Sequence, residues 1–211
     1  MAASTTPTAG ERFDEIVRND FFDGLRGDAA ALDRVLRFCE DTLARQPGHP
    51  EAMVWHGGAT IARSVNAFRT GDRATGMTLY TRGLSEMDRA VELAPGAVGV
   101  RIPRGAVVLS MAPYVPEPEK SRLWQRGVAD YEVALAAQAP RFSTLSQHAR
   151  EQLLYGLLDG YAGLGDTAKA EAYYQRMTVD AAGSQLLGRA KARAAGEPVP
   201  GATPCQECHG R

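Results

Sequence analysis

Three residues near the end of the chain have types and a spacing that could do chemistry. Two cysteines are separated by two residues, and a histidine follows directly, in the order Cys205, Cys208 and His209. This C-x-x-C-H spacing brings two thiols within reach of the two vinyl groups of one haem and places an imidazole beside the iron. The motif therefore predicts covalent attachment of haem c, with His209 as the proximal ligand of the iron.

The same three side chains are compatible with other chemistry. Two thiolates and one imidazole are three of the four ligands that a structural zinc ion needs, and the fourth would come from a partner chain or from water. A thiol–disulfide pair is a further alternative, although the Pro-rich sequence before Cys205 predicts no helix that would lower the pKa of its thiol. A tail without chemical function is the remaining interpretation.

A haem attached at this motif needs a sixth iron ligand, or its iron stays five-coordinate and open to small ligands. Only Gly210 and Arg211 follow the motif, so a further ligand has to come from elsewhere in the chain or from a partner. Histidine and methionine are the residue types that most often supply it. The candidates in this chain are His49, His56, His148 and a methionine such as Met111.

Composition and charge restrict the partners of the chain. Its 211 residues carry 24 Lys and Arg against 25 Asp and Glu, so the net charge is −1. Without a basic stripe, the chain is not expected to bind nucleic acid. No run of about 18 apolar residues predicts a membrane span. The hydrophobic fraction of 44% is that of a folded domain with a substantial core.

The two ends of the chain differ in composition from the middle. Residues 1–10 are small and polar and are expected to be disordered, without the charged and apolar regions of a secretory signal. Residues 196–204 are rich in Pro and Gly and predict an extended linker within a tail that spans 196–211. The expected location is the cytoplasm if Met1 is the true start, and the periplasm or another exported location if the motif carries haem.

Residues 11–195 have the periodicity of helices, and no segment alternates with the period of two that is typical of strands. Apolar residues recur every three or four positions, which is the pattern of one buried helix face. Two such predicted faces are Leu32, Val35, Leu36, Cys39 and Leu43, and Met77, Tyr80, Leu84, Met87 and Val91. Cys39 is therefore expected to be a buried apolar residue without chemical function.

Recurring Gly-Asp pairs predict how the helices are joined. The pairs stand at 27–28, 71–72 and 165–166, each between two helical stretches. Gly suits the left-handed position that ends a helix, and Asp can cap the amides that open the next one. The sequence therefore predicts an all-α fold of four helical hairpins followed by a capping helix, over residues 12–46, 51–94, 99–139, 144–180 and 183–195.

The last hairpin contains a stretch that is similar to a known repeat. Residues 161–174, Tyr-Ala-Gly-Leu-Gly-Asp-Thr-Ala-Lys-Ala-Glu-Ala-Tyr-Tyr, resemble the turn and second helix of a tetratricopeptide repeat. Leu154 and Leu157 take large apolar positions of that motif, Ala170 takes the small one and Tyr174 the aromatic one. The resemblance implies a tetratricopeptide-like α-α superhelix, with longer hairpins before the last one.

The resemblance also implies a groove that holds an extended segment or a helix of a partner protein. The groove positions are Gln152, Tyr155 and Asp159 in the last hairpin, and the second hairpin adds the polar residues His56, Arg63 and Asn66, which share one helix face. The alternative for the polar face of the second hairpin is the solvent-exposed side of an amphipathic helix.

These patterns favour a non-enzymatic scaffold that binds a partner segment and carries haem c on its tail. The sequence has no phosphate-binding loop, nucleophile elbow or H-E-x-x-H motif, and no residue is predicted to be catalytic. His148 follows Thr144 and Ser146, either of which is expected to cap a helix there. The alternatives are an electron-transfer subunit that docks a c-type cytochrome tail on a larger redox complex, and an assembly protein joined by a zinc knuckle.

Overall fold

A computed structural model describes residues 12–197 and 199 of the chain. The regular structure of these residues consists of nine α-helices and two short 3-10 helices, and they contain no strand, so the predicted all-α fold is confirmed. The segment 1–10 and the motif residues Cys205, Cys208 and His209 lie outside the described residues.

The chain divides into two compact units, of which the first, unit 1, extends to Pro103. Its described helices are α1 (Phe13–Leu25), α2 (Ala29–Arg45), α3 (Pro50–Arg69), α4 (Arg73–Leu93) and the beginning of α5 (Val98–Met111). Helix α2 packs on α1 and on α3, and α3 packs most extensively on α4. The first two predicted hairpins are therefore present, with bounds within a few residues of those expected.

Unit 2 begins at Arg104, within α5. Its further α-helices are α6 (Glu119–Gln138), α7 (Gln147–Gly163), α8 (Thr167–Asp180) and α9 (Leu187–Ala194), and the 3-10 helices are Ala112–Tyr114 and Ala139–Thr144. Helix α7 packs on α6 and α8, and α9 packs on both α7 and α8. The last hairpin and its capping helix thus lie where the sequence predicts them.

Three of the turns between helices are built as the Gly-Asp pairs predict. Gly27, Gly71 and Gly165 have φ angles of 110°, 84° and 77°, a region that glycine adopts without steric cost. In each case the following aspartate accepts a hydrogen bond from a backbone amide 3.0–3.1 Å away in the first turn of the next helix: Asp28, Asp72 and Asp166. Each pair therefore ends one helix and begins the next.

The predicted buried faces are largely present in unit 1. Cys39 lies at the centre of the α2 face and is completely buried, as expected. The α4 face is buried at Tyr80, Met87 and Val91, but Met77 is 54% exposed. The prediction was wrong for Met77 because this residue lies near the end of the hairpin, where Phe68 covers the neighbouring Gly76 and leaves the Met77 side chain in solvent.

Helices α3 and α4 touch through their backbones where they cross. A Cβ atom added to Gly57 would lie 2.7 Å from the carbonyl oxygen of Gly83, and one added to Gly83 would lie 2.6 Å from the carbonyl oxygen of Gly57. Real Cβ atoms do not approach other atoms so closely, so this crossing requires glycine on both helices. The close approach brings the neighbouring His56 of α3 against α4.

Candidate functional site

One of the three cysteines lies in the described part of the chain, and its thiol is inaccessible. Cys39 is 0% exposed. Burial, with smaller contributions from Glu40 and Glu86, raises the pKa of its thiol well above the usual range. The thiol is therefore protonated at neutral pH and is a poor nucleophile and a poor metal ligand.

His49 caps the beginning of α3 through its side chain. Its Nδ1 atom accepts a hydrogen bond from the backbone amide of Ala52 at 3.1 Å, and its ring lies 5.1 Å from the ring of Phe13. Because Nδ1 provides a lone pair to this bond, Nε2 carries the proton of the neutral ring. His49 therefore has no free lone pair for an iron atom unless the cap is broken.

His56 is the buried member of a polar cluster that joins three helices of unit 1. Its ring is 4% exposed, and Nδ1 donates a hydrogen bond to Glu86 Oε2 of α4 over 2.6 Å. On the other side of the ring, Nε2 lies 3.6 Å from Glu40 Oε1 of α2. Arg82 Nε donates to the second oxygen of Glu86 over 2.8 Å. The ring therefore links α3 to α2 and α4, and the solvent-exposed face considered for this helix does not extend to His56.

We expect Glu86 to make the stability of the chain depend on pH. Burial opposes the ionisation of Glu86, but the hydrogen bonds from His56 and Arg82 outweigh it and hold the pKa of this carboxyl below its usual range. Such a group stabilises the fold above its unfolded-state pKa of about 4.3, and this contribution is lost as the pH falls through the lower, folded-state pKa. Glu86→Gln should therefore be less stable than the wild type at neutral pH, and the difference should shrink at acidic pH.

Urea unfolding at neutral pH and at several acidic pH values measures this difference. The matched control is Glu92→Gln, because Glu92 forms an ion pair with Arg89 on the exposed side of the same helix. The control should differ little from the wild type at any pH. A destabilisation by Glu86→Gln that stays constant from neutral pH down to the acid limit would contradict the assignment.

The second half of the α3 face is open to solvent. Arg63 and Asn66 are exposed, and the guanidinium of Arg63 forms an ion pair with Asp33 of α2 in which both side chains are nearly half exposed. The polar stripe predicted from the sequence therefore runs along α3, but its exposure to solvent changes from one end to the other. It is buried at His56 and accessible at Arg63 and Asn66, so the last two residues are the ones that a partner could reach.

Helix α9 covers the face of α7 that the sequence resemblance assigns to the groove. Tyr155 is 3% exposed, and its hydroxyl accepts a hydrogen bond from Arg189 Nε at 3.0 Å. Asp159 Oδ1 accepts a hydrogen bond from Arg193 Nε at 2.6 Å, and Gln152 is half-buried. The three predicted groove residues of α7 thus follow one another on the helix, but a partner would reach Tyr155 and Asp159 only if α9 moved away.

The contacts with α9 also change the acidity of these side chains. Burial raises the pKa of Tyr155 to about 12, and the negative charge of Asp159 contributes. Burial also raises the pKa of Asp159 itself, although Arg193 opposes this effect. Sequence reasoning did not single out Arg189 and Arg193. Their spacing of four residues in the predicted capping helix, which matches the spacing of Tyr155 and Asp159, is the signal that could have identified them.

Two further candidate iron ligands lie in unit 2. Met111 is the last residue of α5 and is half-buried. His148 lies in the first turn of α7, where the Ser146 hydroxyl accepts a hydrogen bond from the Ala149 amide at 3.2 Å. Of the two residues expected to cap this helix, Ser146 is therefore the one that does, while the Thr144 hydroxyl donates to a backbone carbonyl of the preceding 3-10 helix.

The described helices place limits on other kinds of site. Within residues 12–197 no three His, Cys, Asp or Glu side chains are grouped so that they could hold a metal ion. None of the helices in this part of the chain combines the length and the apolar character needed to cross a bilayer.

Comparison of the chain with protein-family models, with curated proteins and with solved structures found no match.

Proposed function

We propose that this chain is a non-enzymatic scaffold that binds a segment of a partner protein on its helical hairpins and carries haem c on its tail. The observation that carries the proposal is the Cys205-x-x-Cys208-His209 motif, and the third cysteine of the chain, Cys39, is buried in the α2 face. The repeated turns with a left-handed glycine and a capping aspartate support an array of tetratricopeptide type, in which stacked hairpins form a groove.

The accessible part of the proposed partner surface is formed by Arg63 and Asn66 of α3. The carboxamide of Asn66 offers two donors and one acceptor, so it can bond the main chain of an extended segment whatever the sequence of that segment. Arg63 can bind a carboxylate through two parallel hydrogen bonds. Its present ion pair with Asp33 is exposed and contributes only about 0.2–1 kcal/mol, so an acidic partner residue can replace it. The proposed partner is therefore an extended segment that contains an acidic residue.

The contact between α9 and α7 in unit 2 supports this mode of binding, because there a segment of the chain itself lies on a hairpin face. Helix α9 binds to α7 through two arginines, which reach Tyr155 and Asp159 on the face of the last hairpin. The contact has a charged pair at one position and, one turn away, a hydrogen bond from a charged guanidinium to a neutral hydroxyl. A hairpin face in this protein can therefore hold a short segment by a few polar contacts placed on one side of its first helix.

Replacing both Arg63 and Asn66 with Ala is expected to weaken the binding of selected peptides by at least about tenfold, since each side chain supplies contacts near the centre of the proposed surface. The peptides are selected from a displayed random library on the immobilised full chain, and their affinity is measured by fluorescence anisotropy. Arg89→Ala is the matched control, because Arg89 is an exposed arginine on α4 that pairs with Glu92. Selected peptides that bind the double variant as well as they bind the control would contradict this surface.

The haem part of the proposal rests on a balanced addition reaction. Each thiol of Cys205 and Cys208 adds across one vinyl double bond, so that sulfur bonds to one carbon and the thiol hydrogen is transferred to the other. No oxidant is consumed and no group leaves. His209, next to the second thiol, would hold the iron through an imidazole nitrogen. Bound in this way, haem c supplies one-electron redox chemistry.

Production of the full chain with an export leader and a haem-maturation system is expected to give a red protein. Its mass under denaturing conditions should exceed that of the apo chain by one haem, because thioether bonds survive unfolding. Cys205→Ser combined with Cys208→Ser should abolish the attachment. Cys39→Ala is the matched control and should keep it, because Cys39 is remote from solvent in α2.

A colourless protein at the apo mass would overturn the haem assignment. If such a protein bound one zinc ion per chain or per dimer, and lost it in the same double serine variant, the zinc-knuckle alternative would replace haem attachment. The scaffold proposal would be unaffected, because the peptide experiment tests it separately.

A further inference from the structure

Three side chains of α6 and α7 form a surface that attracts positive charge. Tyr155 and Asp159 are four residues apart on α7 and therefore lie on the same side of that helix. Trp124 of α6 lies beside them, with the centre of its ring 5.4 Å from the guanidinium of Arg193. A hydroxyl oxygen, a carboxylate and an aromatic ring all interact favourably with a cation. We call Trp124, Tyr155 and Asp159 the covered face.

Helix α9 occupies the covered face with two arginines that have the same spacing as their partners. Arg189 Nε donates a hydrogen bond to the Tyr155 hydroxyl at 3.0 Å. One turn further along both helices, Arg193 Nε donates to Asp159 Oδ1 at 2.6 Å. The order of these two contacts means that α9 runs in the same direction as α7. The covered face therefore fits a helix that presents two basic side chains one turn apart.

Apart from these contacts, α9 buries little apolar surface. The buried residues of the helix are Ala190 and Ala194, each of which has a single methyl group as its side chain. The large buried side chain of this region, Leu186, lies directly before the helix and is 3% exposed. Because the hydrophobic contribution is roughly proportional to the apolar area buried, the helix itself gains little from it. The two arginine contacts are therefore a main part of what holds α9 in place.

Helix α9 is also weak as a helix. It has eight residues, fewer than an isolated helix needs to be stable in water. Its second residue is Gly188, and glycine is less favourable than alanine within a helix. No atom lies within 4 Å of the Cβ position of Gly188, so packing does not require a glycine there. An element that is short and has few buried apolar contacts opens more readily than the helices beneath it.

The segment before α9 is held more firmly than the helix. Ala181, Ser184 and Leu186 are all buried. The Ser184 hydroxyl accepts a hydrogen bond from the Leu186 backbone amide at 3.1 Å. Helix α9 can therefore move away by rotation of the backbone between Leu186 and Leu187, while the preceding residues stay in place. Opening at this point exposes the covered face and leaves the hairpin of α7 and α8 intact.

We propose that the covered face is a second binding surface, which takes a basic helical segment of a partner protein after that segment displaces α9. The inference deepens the proposed scaffold function and rests on its premise that hairpin faces bind protein segments. Charge identifies the occupant, because the carboxylate of Asp159 needs a cation when the Arg193 guanidinium leaves. A partner helix that is longer than α9 and lacks its glycine pays less to form and can therefore compete with it.

The test uses the full chain and a fluorescent peptide with the sequence of residues 184–197 and the change Gly188→Ala. In the wild type the peptide binds only the fraction of molecules in which α9 is open, and its apparent affinity is reduced by that fraction. Arg189→Gln combined with Arg193→Gln in the chain removes both contacts of α9. The peptide should bind this double variant at least about tenfold more tightly than the wild type, as measured by fluorescence anisotropy.

Three controls show whether the peptide recognises the covered face. Lys191→Gln removes an exposed charge of the same helix and should leave the affinity at the wild-type value. A peptide in which Arg189 and Arg193 are both replaced by glutamine should bind neither the wild type nor the double variant. Adding Asp159→Asn to the double variant should weaken binding of the arginine peptide by at least about tenfold, because the carboxylate that pairs with arginine is lost.

Hydrogen exchange of the full chain measures the opening of α9 without a destabilising substitution. The amides of α9 should exchange faster than those of α7 in the wild type. Gly188→Ala should slow the exchange of α9 by about fivefold, because alanine favours the helix and its methyl group meets no neighbour. Exchange of α9 and α7 at one common rate would show that α9 does not open separately, and it would overturn the proposal even if the double variant failed to fold.

The other outcomes also decide the proposal. Equal affinity of the peptide for the wild type and the double variant, or binding to neither, overturns it, and so does equal binding of the glutamine peptide. A wild-type dimer that becomes a monomer in the double variant would assign the covered face to α9 of a second copy. The peptides selected on the surface of Arg63 and Asn66 test the scaffold function separately. If only those peptides fail, that surface is contradicted and the covered face is not.

Discussion

Asp130→Asn is expected to lower the free energy of unfolding by about 3–5 kcal/mol, the loss that follows when one partner of a buried ion pair is removed. Arg104 of α5 donates two hydrogen bonds of 2.7 Å to the two carboxylate oxygens of Asp130 on α6. The side chain of Asp130 is 0% exposed and that of Arg104 is 10% exposed. An asparagine would remove the buried carboxylate that accepts both of these hydrogen bonds, which is the cause of the expected loss.

Chemical unfolding of the full chain, followed by circular dichroism, measures this effect. The matched control is Glu119→Gln in the first turn of the same helix, which breaks an exposed ion pair with Arg122 and should change stability by less than about 1 kcal/mol. Replacing both members of the buried pair, as in Arg104→Met with Asp130→Leu, should recover part of the loss because neither charge of this pair is then left buried by itself. A single variant as stable as the control would show that the pair contributes nothing net.

The hairpins could be predicted from the sequence because their signals are local. A glycine that ends a helix and an aspartate that begins the next act within a few residues of each other, and the pairs at Gly27, Gly71 and Gly165 have the expected φ angles and caps. Helical periodicity is equally local. Because both signals are local, the bounds of the helices agree with those predicted from the sequence to within a few residues.

What covers a helix face could not be predicted in the same way. The stripe of His56, Arg63 and Asn66 lies along α3, but at His56 it is buried and contacts Glu40 and Glu86, which come from two other helices. The buried pair of Arg104 and Asp130 joins residues 26 positions apart in the sequence. Such partners depend on which helices become neighbours, and a single sequence without that knowledge does not specify them.

The proposed haem attachment involves both a local sequence signal and contacts between helices that the sequence does not specify. The proposed covalent chemistry depends on the short spacing of Cys205, Cys208 and His209, so the sequence alone suggests it. For a sixth iron ligand the sequence offers only the candidates His49, His56, His148 and a methionine such as Met111. The structure shows what two of these side chains already contact, because His49 caps α3 and His56 is buried against Glu86.

Gly57→Ala is expected to destabilise unit 1 by about 1–3 kcal/mol, although alanine is normally the better helix former by about 1 kcal/mol. The new Cβ would lie 2.7 Å from the Gly83 carbonyl oxygen and 2.7 Å from Met87 Cγ. The first of these atoms belongs to the backbone of α4, so the clash can be relieved only by moving the two helices apart. Gly83→Ala should behave in the same way, because its Cβ would lie 2.6 Å from the Gly57 carbonyl oxygen.

The decisive comparison is with a glycine of the same unit that has room for a side chain. Gly48, between α2 and α3, has nothing within 4 Å of the Cβ position, so Gly48→Ala should leave stability unchanged or raise it by up to about 1 kcal/mol. Thermal and urea unfolding of the three alanine variants measure the differences. The double variant Gly57→Ala with Gly83→Ala should lose less than the sum of the single losses, because one separation of α3 from α4 accommodates both methyl groups. Equal stability of the Gly57 and Gly48 variants would mean that the two helices do not cross as closely as their glycines require.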